Sequence, residues 1–469
     1  MTRLFFLMTL PLVLLVSGCA SLTAVDQFPA SAAALDNTQD PPPRLAIEQW
    51  QTEQGSKVLF IHSPGLPMLD VRLVFDAGSA RDGDMPGLAA MTSSLISEGT
   101  SRMDVNDIAQ GFEDQGAELS TSSHRDMGVI HLRSLTDAAF LTPTVELFTH
   151  VLAEANFPAA SLERVRQQRL QGLRMQQQVP GPQVADAFQA LVFADHPYAH
   201  PSAGTLTSLP AVQQRQVQQF YRQHYAAGNA VIAMVGDIDT PQAKDLAARI
   251  SEALPQGPAL PDLPRANPLG QQQVQHIEFP SSQTHIWLGN QSTWRGNPDH
   301  AALHVGNHIL GGGGFSSILT DEVRQQRGFV YGISSSFAPM AAGGPFRVQL
   351  QTANENADEA LTLTLALIEE FVANGPSEAQ VDRAKANILG GFPLSIASNR
   401  DLIGQLGAIG FYDLPLDQLS DFYRRVQTVT ADDIRQAMAR HLAPENLAIV
   451  SIGPRAPQRL DTLDELVDE

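Results

Sequence analysis

A chain of 469 residues is longer than one ordinary hydrophobic core accommodates, so two or more domains are expected. Its formal charge of -20 argues against nucleic acid and against direct adsorption to anionic lipid. Cys19 is the only cysteine, which excludes an intramolecular disulfide and a cysteine-ligated zinc site.

Taken in chain order, residues 1–19 read as a sorting signal. Arg3 supplies a positive start, Leu4 to Val16 an apolar run too short for a comfortable membrane span, and Val16-Ser17-Gly18-Cys19 a small-residue cleavage site. This pattern resembles the lipobox of bacterial lipoproteins, which implies that Cys19 becomes the lipidated first residue of the mature protein. An ordinary cleaved signal peptide and an uncleaved anchor are the alternatives. Ala20 stands where an aspartate would favour inner-membrane retention, so the resemblance implies the outer membrane, facing the periplasm. Residues 20–44, rich in Ala, Ser, Thr, Asp and Pro, read as a disordered tether with a reach of about 25 to 30 Å.

The rest of the chain contains an internal repeat. His224-Tyr225, Asn229 to Ile232 and Val235-Gly236 recur as His441-Leu442, Asn446 to Ile449 and Ile452-Gly453 at a constant offset of 217 residues. Pro158 with Leu162-Glu163-Arg164 recurs as Pro376 with Val381-Asp382-Arg383 at nearly that spacing. Two like domains follow, 45–254 and 275–469, joined by a linker at 255–274 that contains five prolines.

Strands are predicted at Val58 to His62, Val71 to Phe75, Gly128 to Arg133, His285 to Leu288 and Phe346 to Gln351. Helices are predicted at Ala139 to Glu154, Ser161 to Gln177, Pro182 to Phe193 and Val212 to His224. In the second half they are predicted at Pro298 to Leu310, Ala357 to Ala373, Ser377 to Asn387 and Ala431 to His441. Sheets with segregated helices make an α+β fold rather than a doubly wound one. Gly390-Gly391 and Gly404 to Gly410 read as helix interruptions or hinges, with packing as the default explanation.

The most unusual stretch runs from Gly311 to Tyr331. Gly311, Gly312, Gly313 and Gly314 permit close approach of a bound chain, and Phe315 follows them. Ser316 to Gln326 reads as a short helix with acids first and arginines late. Arg327 offers a fork of donors and Tyr331 a hydroxyl, a pair able to grip backbone carbonyls of an extended peptide.

Together these residues resemble the pitrilysin or insulinase family of zinc peptidases, near its processing-peptidase branch. The resemblance rests on Asp76-Ala77-Gly78-Ser79, Gly87-Leu88 through Glu98-Gly99-Thr100, Gly116-Ala117 and His196-Pro197-Tyr198. It extends to Asn229 to Asp237, Leu310-Gly311-Gly312 and Arg327 to Tyr331. It implies two homologous α/β-roll domains, each a mixed sheet with helices packed on it, in a clam-like arrangement around a chamber. Active members carry H-x-x-E-H on the helix after Gly-Leu, two histidines holding zinc and a glutamate activating water. Here Ala90, Ser93 and Ser94 occupy those positions. The region of the third ligand, Gln167 to Gln171, contains only glutamines, arginine and leucine. Alanine has no donor atom and neutral serines are weak ligands and poor bases, so no catalytic or metal residue is expected in this chain.

Rebuilt sites are weaker readings. His300, His304 and His308 recur at four-residue steps, drifting about 40° per step along one side of a helix, and two of them suit a metal. Histidines lining a polar chamber is the stronger reading of that stripe. His196 and His200 share the spacing, but Pro197 and Pro201 break any helix that would align them, and the resemblance makes His196 structural. His124 and Arg125 read as chamber lining or solvated surface. The glycine run lacks the lysine of a phosphate-binding loop, and no G-x-S-x-G elbow stands out.

The resemblance therefore implies a non-catalytic, zinc-free subunit. It would bind peptide through Arg327, Tyr331, Gly311 to Gly314 and Phe315, with zinc carried by a homologous partner and a lipid on Cys19. The other reading is a peptide-binding or scaffold lipoprotein with no part in proteolysis.

Overall fold

The computed structural model describes residues 45–460; Cys19, the tether to residue 44 and the last nine residues lie outside the described residues. Two mixed sheets organise the chain. The first contains β1 (Glu48–Gln51), β2 (Lys57–His62), β3 (Met68–Phe75), β4 (Glu118–Ser123), β5 (Gly128–Leu135) and β6 (Ala230–Gly236), in the order β1-β2-β6-β3-β5-β4. The second contains β7 (Gln273–Glu278), β8 (Gln283–Gln291), β9 (Val330–Phe337), β10 (Pro345–Ala353) and β11 (Ala448–Gly453), in the order β7-β11-β8-β10-β9. The repeat seen in the sequence is thus a repeat of topology. In each sheet one parallel pair, β2 with β6 and β7 with β11, adjoins a run of antiparallel neighbours.

Each half builds its main core between one sheet face and its own helices. Val71, Leu73, Ile130 and Met234 pack against Leu95, Phe148, Val165 and Val217 from helices Leu88–Leu95, Ala138–Glu154, Ala159–Gln176 and Gln214–His224. Ile286, Val348 and Leu350 do the same with Val305, Ile368 and Ile434 from helices His300–Asn307, Ala357–Asn374 and Ala431–His441. β6 is buried along its whole length, which explains why it reads as an apolar run without alternation.

The opposite sheet faces are covered by an exchange. Helix Pro180–Phe193 of the first half places Val184, Phe188 and Val192 with Val450 and Ile452 of the second sheet, and the Phe188 and Trp287 rings meet at 5.7 Å. Helix Asn399–Phe411 of the second half places Leu402, Ile403, Leu406 and Ile409 with Leu59, Val74, Val231 and Val235 of the first. Gly404 to Gly410 therefore do not interrupt a helix. A Cβ on Gly410 would lie 2.8 Å from Leu59 Cδ1, and one on Gly407 would lie 3.2 Å from Val74 Cγ2, so these glycines let the helix approach the foreign sheet. Gly390-Gly391, by contrast, do mark the end of helix Glu378–Gly391.

A buried polar knot accompanies the exchange. Asp126 accepts hydrogen bonds from Tyr198, from Tyr412 at 2.9 Å and from the Ala341 amide at 2.9 Å, and the Tyr198 hydroxyl accepts from the Ala342 amide. The stretch between Ala253 and Gln273 forms no helix or strand, yet it is packed. Ala266 is buried and accepted by the carbonyl of Ala342, and Arg265 lies over the Trp294 ring at 4.4 Å.

Candidate functional site

Helix Leu88–Leu95 occupies the place where the resemblance puts a zinc-binding helix, and its position is firmly set. Gly87 turns into it with φ 94°, and the buried Asp82 carboxylate accepts the amides of Gly87 and Ala89 at 2.7 Å each. His200 braces Asp82 at 3.3 Å while bonding the Ser79 carbonyl. The helix then presents Ala90 and Ser93, both buried, and the half-buried Ser94.

Arg169 fills the position that the missing ligands leave. From helix Ala159–Gln176 its Nη2 donates to the Ala90 carbonyl at 2.8 Å and to Ser94 Oγ at 2.6 Å. Ser94 Oγ in turn donates to the Ala90 carbonyl at 3.0 Å, and Thr121 Oγ1 donates to the Ser93 carbonyl at 2.7 Å. Burial pulls the Arg169 guanidinium below its usual pKa, and it remains a cation. A fixed positive charge among two hydroxyls and a methyl group does not fit a divalent zinc ion. Sequence reasoning recognised the lost ligands but not this substitute, because only the fold brings residues 90, 94 and 169 together.

The glycine segment is more ordinary than its composition suggests. Helix His300–Asn307 continues into a wider π-type turn at His308–Gly312. A Cβ on Gly311 would stand 2.8 Å from the Ser335 amide, and one on Gly313 would stand 3.0 Å from His308 Nε2; one on Gly312 would overlap Asn307. Three of the four glycines are thus required by local packing. Gly314, with φ 62° and open space around it, is required by its backbone conformation.

Beyond the glycines the side chains are exposed. Phe315 is 66% and Tyr331 61% exposed, and Arg324 stacks over the Phe315 ring at 5.0 Å. Gln325 Nε2 donates to the Phe315 carbonyl at 2.8 Å, fixing the loop on the wide helical turn Thr320–Gln326. Gly328, φ 68°, then leads into β9. Tyr331 falls in the register shift between Gly332 opposite Gln351 and Val330 opposite Thr352, a bulge that re-aims a side chain at the edge of a sheet. Arg327 is exposed and, although its amide donates to the Arg324 carbonyl, its guanidinium makes no hydrogen bond or ion pair among the described residues. The donors of both residues are accordingly free for a ligand.

The histidine stripe resolves as packing. His300 and His304 pack against Phe422, tilted and edge-on, with ring centroids 5.4 and 5.3 Å apart, and the nearby Asp299 is taken by Arg440 and His441 at 2.8 and 3.0 Å. Burial and the neighbouring His304 and Arg295 hold His300 down at about 4. No group of three or more metal-ligating side chains occurs among the described residues. A pocket of 180 Å³ beside His300 is lined by Arg295, Asn297, Leu414, Gln418 and Phe422. His196 bonds the Pro264 carbonyl at 2.9 Å and accepts the Tyr198 amide, a structural role, and no helix aligns it with His200.

Comparison with known proteins settles the family. Residues 57–206 match the family model described as Insulinase (Peptidase family M16), and residues 211–388 match Peptidase M16 inactive domain. A solved structure titled peptidase M16 inactive domain from Pseudomonas fluorescens is 43% identical, with a TM-score of 0.86. The match covers 89% of this chain and all of that one. The chain belongs to peptidase family M16. An uncharacterized zinc protease of Mycobacterium tuberculosis (strain ATCC 25618 / H37Rv) is 26% identical over 90% of this chain and 96% of its own. A Helicobacter pylori protein named non-peptidase homolog YmxG is 24% identical over 84% and 91%. Within M16 the chain is a homologue of the inactive kind: it has the α+β two-sheet fold and lacks the zinc ligands and base.

Proposed function

We propose that this M16 homologue is the non-catalytic, substrate-binding subunit of a heterodimeric zinc metallopeptidase at the periplasmic face of a bacterial membrane, tethered through lipid on Cys19. The observation that carries the reading is a contrast within one chain. Arg169 occupies the metal position, whereas Arg327 and Tyr331 remain exposed and uncommitted.

In such a pair the partner supplies H-x-x-E-H and zinc. This chain supplies donors: Tyr331 to a carbonyl beside the scissile bond and Arg327 to a backbone carbonyl nearby, with Gly311 to Gly314 and Phe315 forming the loop against which the peptide lies. Donors aimed at a carbonyl act mainly on rate, since its negative charge grows in the transition state.

The test is purification of the full chain, alone and with an M16 homologue from the same organism that carries H-x-x-E-H. Expected are no stoichiometric zinc in the isolated chain and peptide cleavage only in the complex. Chelator-sensitive cleavage by the isolated chain would reject the proposal. A chain that neither binds such a homologue nor alters its cleavage would instead be a peptide-binding or scaffold lipoprotein.

A further inference from the structure

The face of the first sheet that receives helix Asn399–Phe411 is polar at its β4 end. Arg72 on β3 stands opposite His131 on β5, and His131 stands opposite Ser120 on β4, so the three side chains share one face in consecutive strands. Ser122 follows two residues along β4, and its Oγ lies 3.2 Å from His124 Nε2. Ser120, Ser122 and His124 are exposed, so the row opens to solvent and ends at the half-buried Arg72.

Arg72 is the anomaly in this row. Among the described residues its guanidinium makes no hydrogen bond and no ion pair. The adjacent carboxylate, Asp70, is fully buried and already taken by Arg133 Nε at 2.9 Å and His131 Nε2 at 3.0 Å. Gly407 of the exchanged helix leaves room for the side chain: a Cβ there would stand 3.3 Å from Arg72 Nε. Burial pulls the Arg72 pKa below its usual value, and the positive charge of Arg72 helps lower that of His124, which places the two groups as neighbours. A half-buried guanidinium with no protein acceptor keeps its fork of donors available to a ligand that enters from solvent.

We infer that this face is a binding site for a small oxyanion, a carboxylate or a phosphate, held by Arg72 with help from His124, Ser120 and Ser122. The guanidinium fork matches two oxygens of either group, and the two hydroxyls and the His124 N–H supply further donors. The site lies on the sheet face opposite the one that packs helix Leu88–Leu95, so it is separate from the lost metal position and independent of the proposed partnership.

The experiment is thermal unfolding of the full chain in inorganic phosphate, in acetate and in chloride at matched ionic strength. A rise in midpoint over chloride is expected; phosphate alone raising it marks a phosphate site, acetate alone a carboxylate site. Arg72→Met abolishes the rise, Ser120→Ala weakens apparent affinity by about tenfold, and Arg215→Ala, an exposed arginine elsewhere, leaves it intact. If Arg72→Met fails to fold, Arg72→Lys keeps the charge, loses the fork and shows a reduced rise. No rise with either anion, or a full rise in the Arg72 variants, overturns the inference.

Discussion

The hydroxyl of Tyr412 meets the buried carboxylate of Asp126 at 2.9 Å across 286 residues of chain, joining the two halves. Asp126→Ala strips an acceptor from Tyr198, Tyr412 and the Ala341 amide at once. The expected loss is about 3 kcal/mol, because bonds to a charged group are strong and their buried donors are left unmet. Asp126→Asn, which keeps one carbonyl, loses less. Urea unfolding of both variants checks the order.

The exchanged helix makes a second prediction that separates neighbouring glycines. Gly410→Ala forces a methyl against Val231 and Leu59 and destabilises by about 1 to 3 kcal/mol. Gly404→Ala, with nothing within 4 Å of the added methyl, gains helix propensity and stabilises by up to about 1 kcal/mol. Thermal midpoints that move in the same direction for both would contradict the packing described.

Restoring ligands to the metal position is expected to succeed only when Arg169 is removed. Ala90→His with Ser94→His keeps a guanidinium beside the two imidazoles, and zinc binds weakly. Adding Arg169→Gln removes that cation and tightens zinc at least about tenfold, since a unit of like charge at hydrogen-bond range costs more than 1.4 kcal/mol in a partly buried site. Equilibrium dialysis against zinc measures the difference.

In the proposed heterodimer, Arg327→Ala and Tyr331→Phe are each expected to lower turnover by about tenfold to a thousandfold with the complex intact, the range for losing one transition-state donor. Neither side chain contributes to the core. Turnover unchanged in both variants, measured with peptide at saturation, would remove them from the substrate site.

Acid is expected to weaken the fold before its carboxylates titrate. Burial holds His300 at about 4 and His224 below its ordinary value of 6.5. The unfolded chain therefore binds protons that the folded chain refuses, so stability present above pH 6.5 is lost as pH falls and levels off for His300 near 4. Asp70 and Asp299, held low by their cationic partners, add a further loss below pH 3.8. In unfolding curves between pH 7 and about 4, His300→Phe is expected to flatten the slope while keeping a ring packed against Phe422.

Much of this architecture is written locally. Val71 to Phe75 and Ala431 to His441 carry the periods of a strand and a helix, and the 217-residue repeat announces two halves. β7 is missed because Gln273, Gln275 and Glu278 lie on a polar sheet edge where no alternation is enforced. Helix Thr240–Ala253 is missed although Asp239 and Gln242 form its capping box. The lost metal position is legible in Ala90, Ser93 and Ser94, whose identities suffice. What replaces it is not, because Arg169 acts through a contact 75 and 79 residues away. Nor is the helix exchange legible, since a glycine read along the chain looks the same whether it bends a helix or admits a neighbour.

The exchange bears on how such a chain could arise. A half-length ancestor with this fold would leave the equivalent of helix Pro180–Phe193 or Asn399–Phe411 without its own sheet to cover, and only a second copy could receive it. Two copies trading helices form a twofold dimer, and joining them by a proline-rich crossing yields this chain. On that view the hydrogen bonds that Asp126 accepts from Tyr198 and Tyr412 are the seam of an old homodimer, kept after its two copies became one chain.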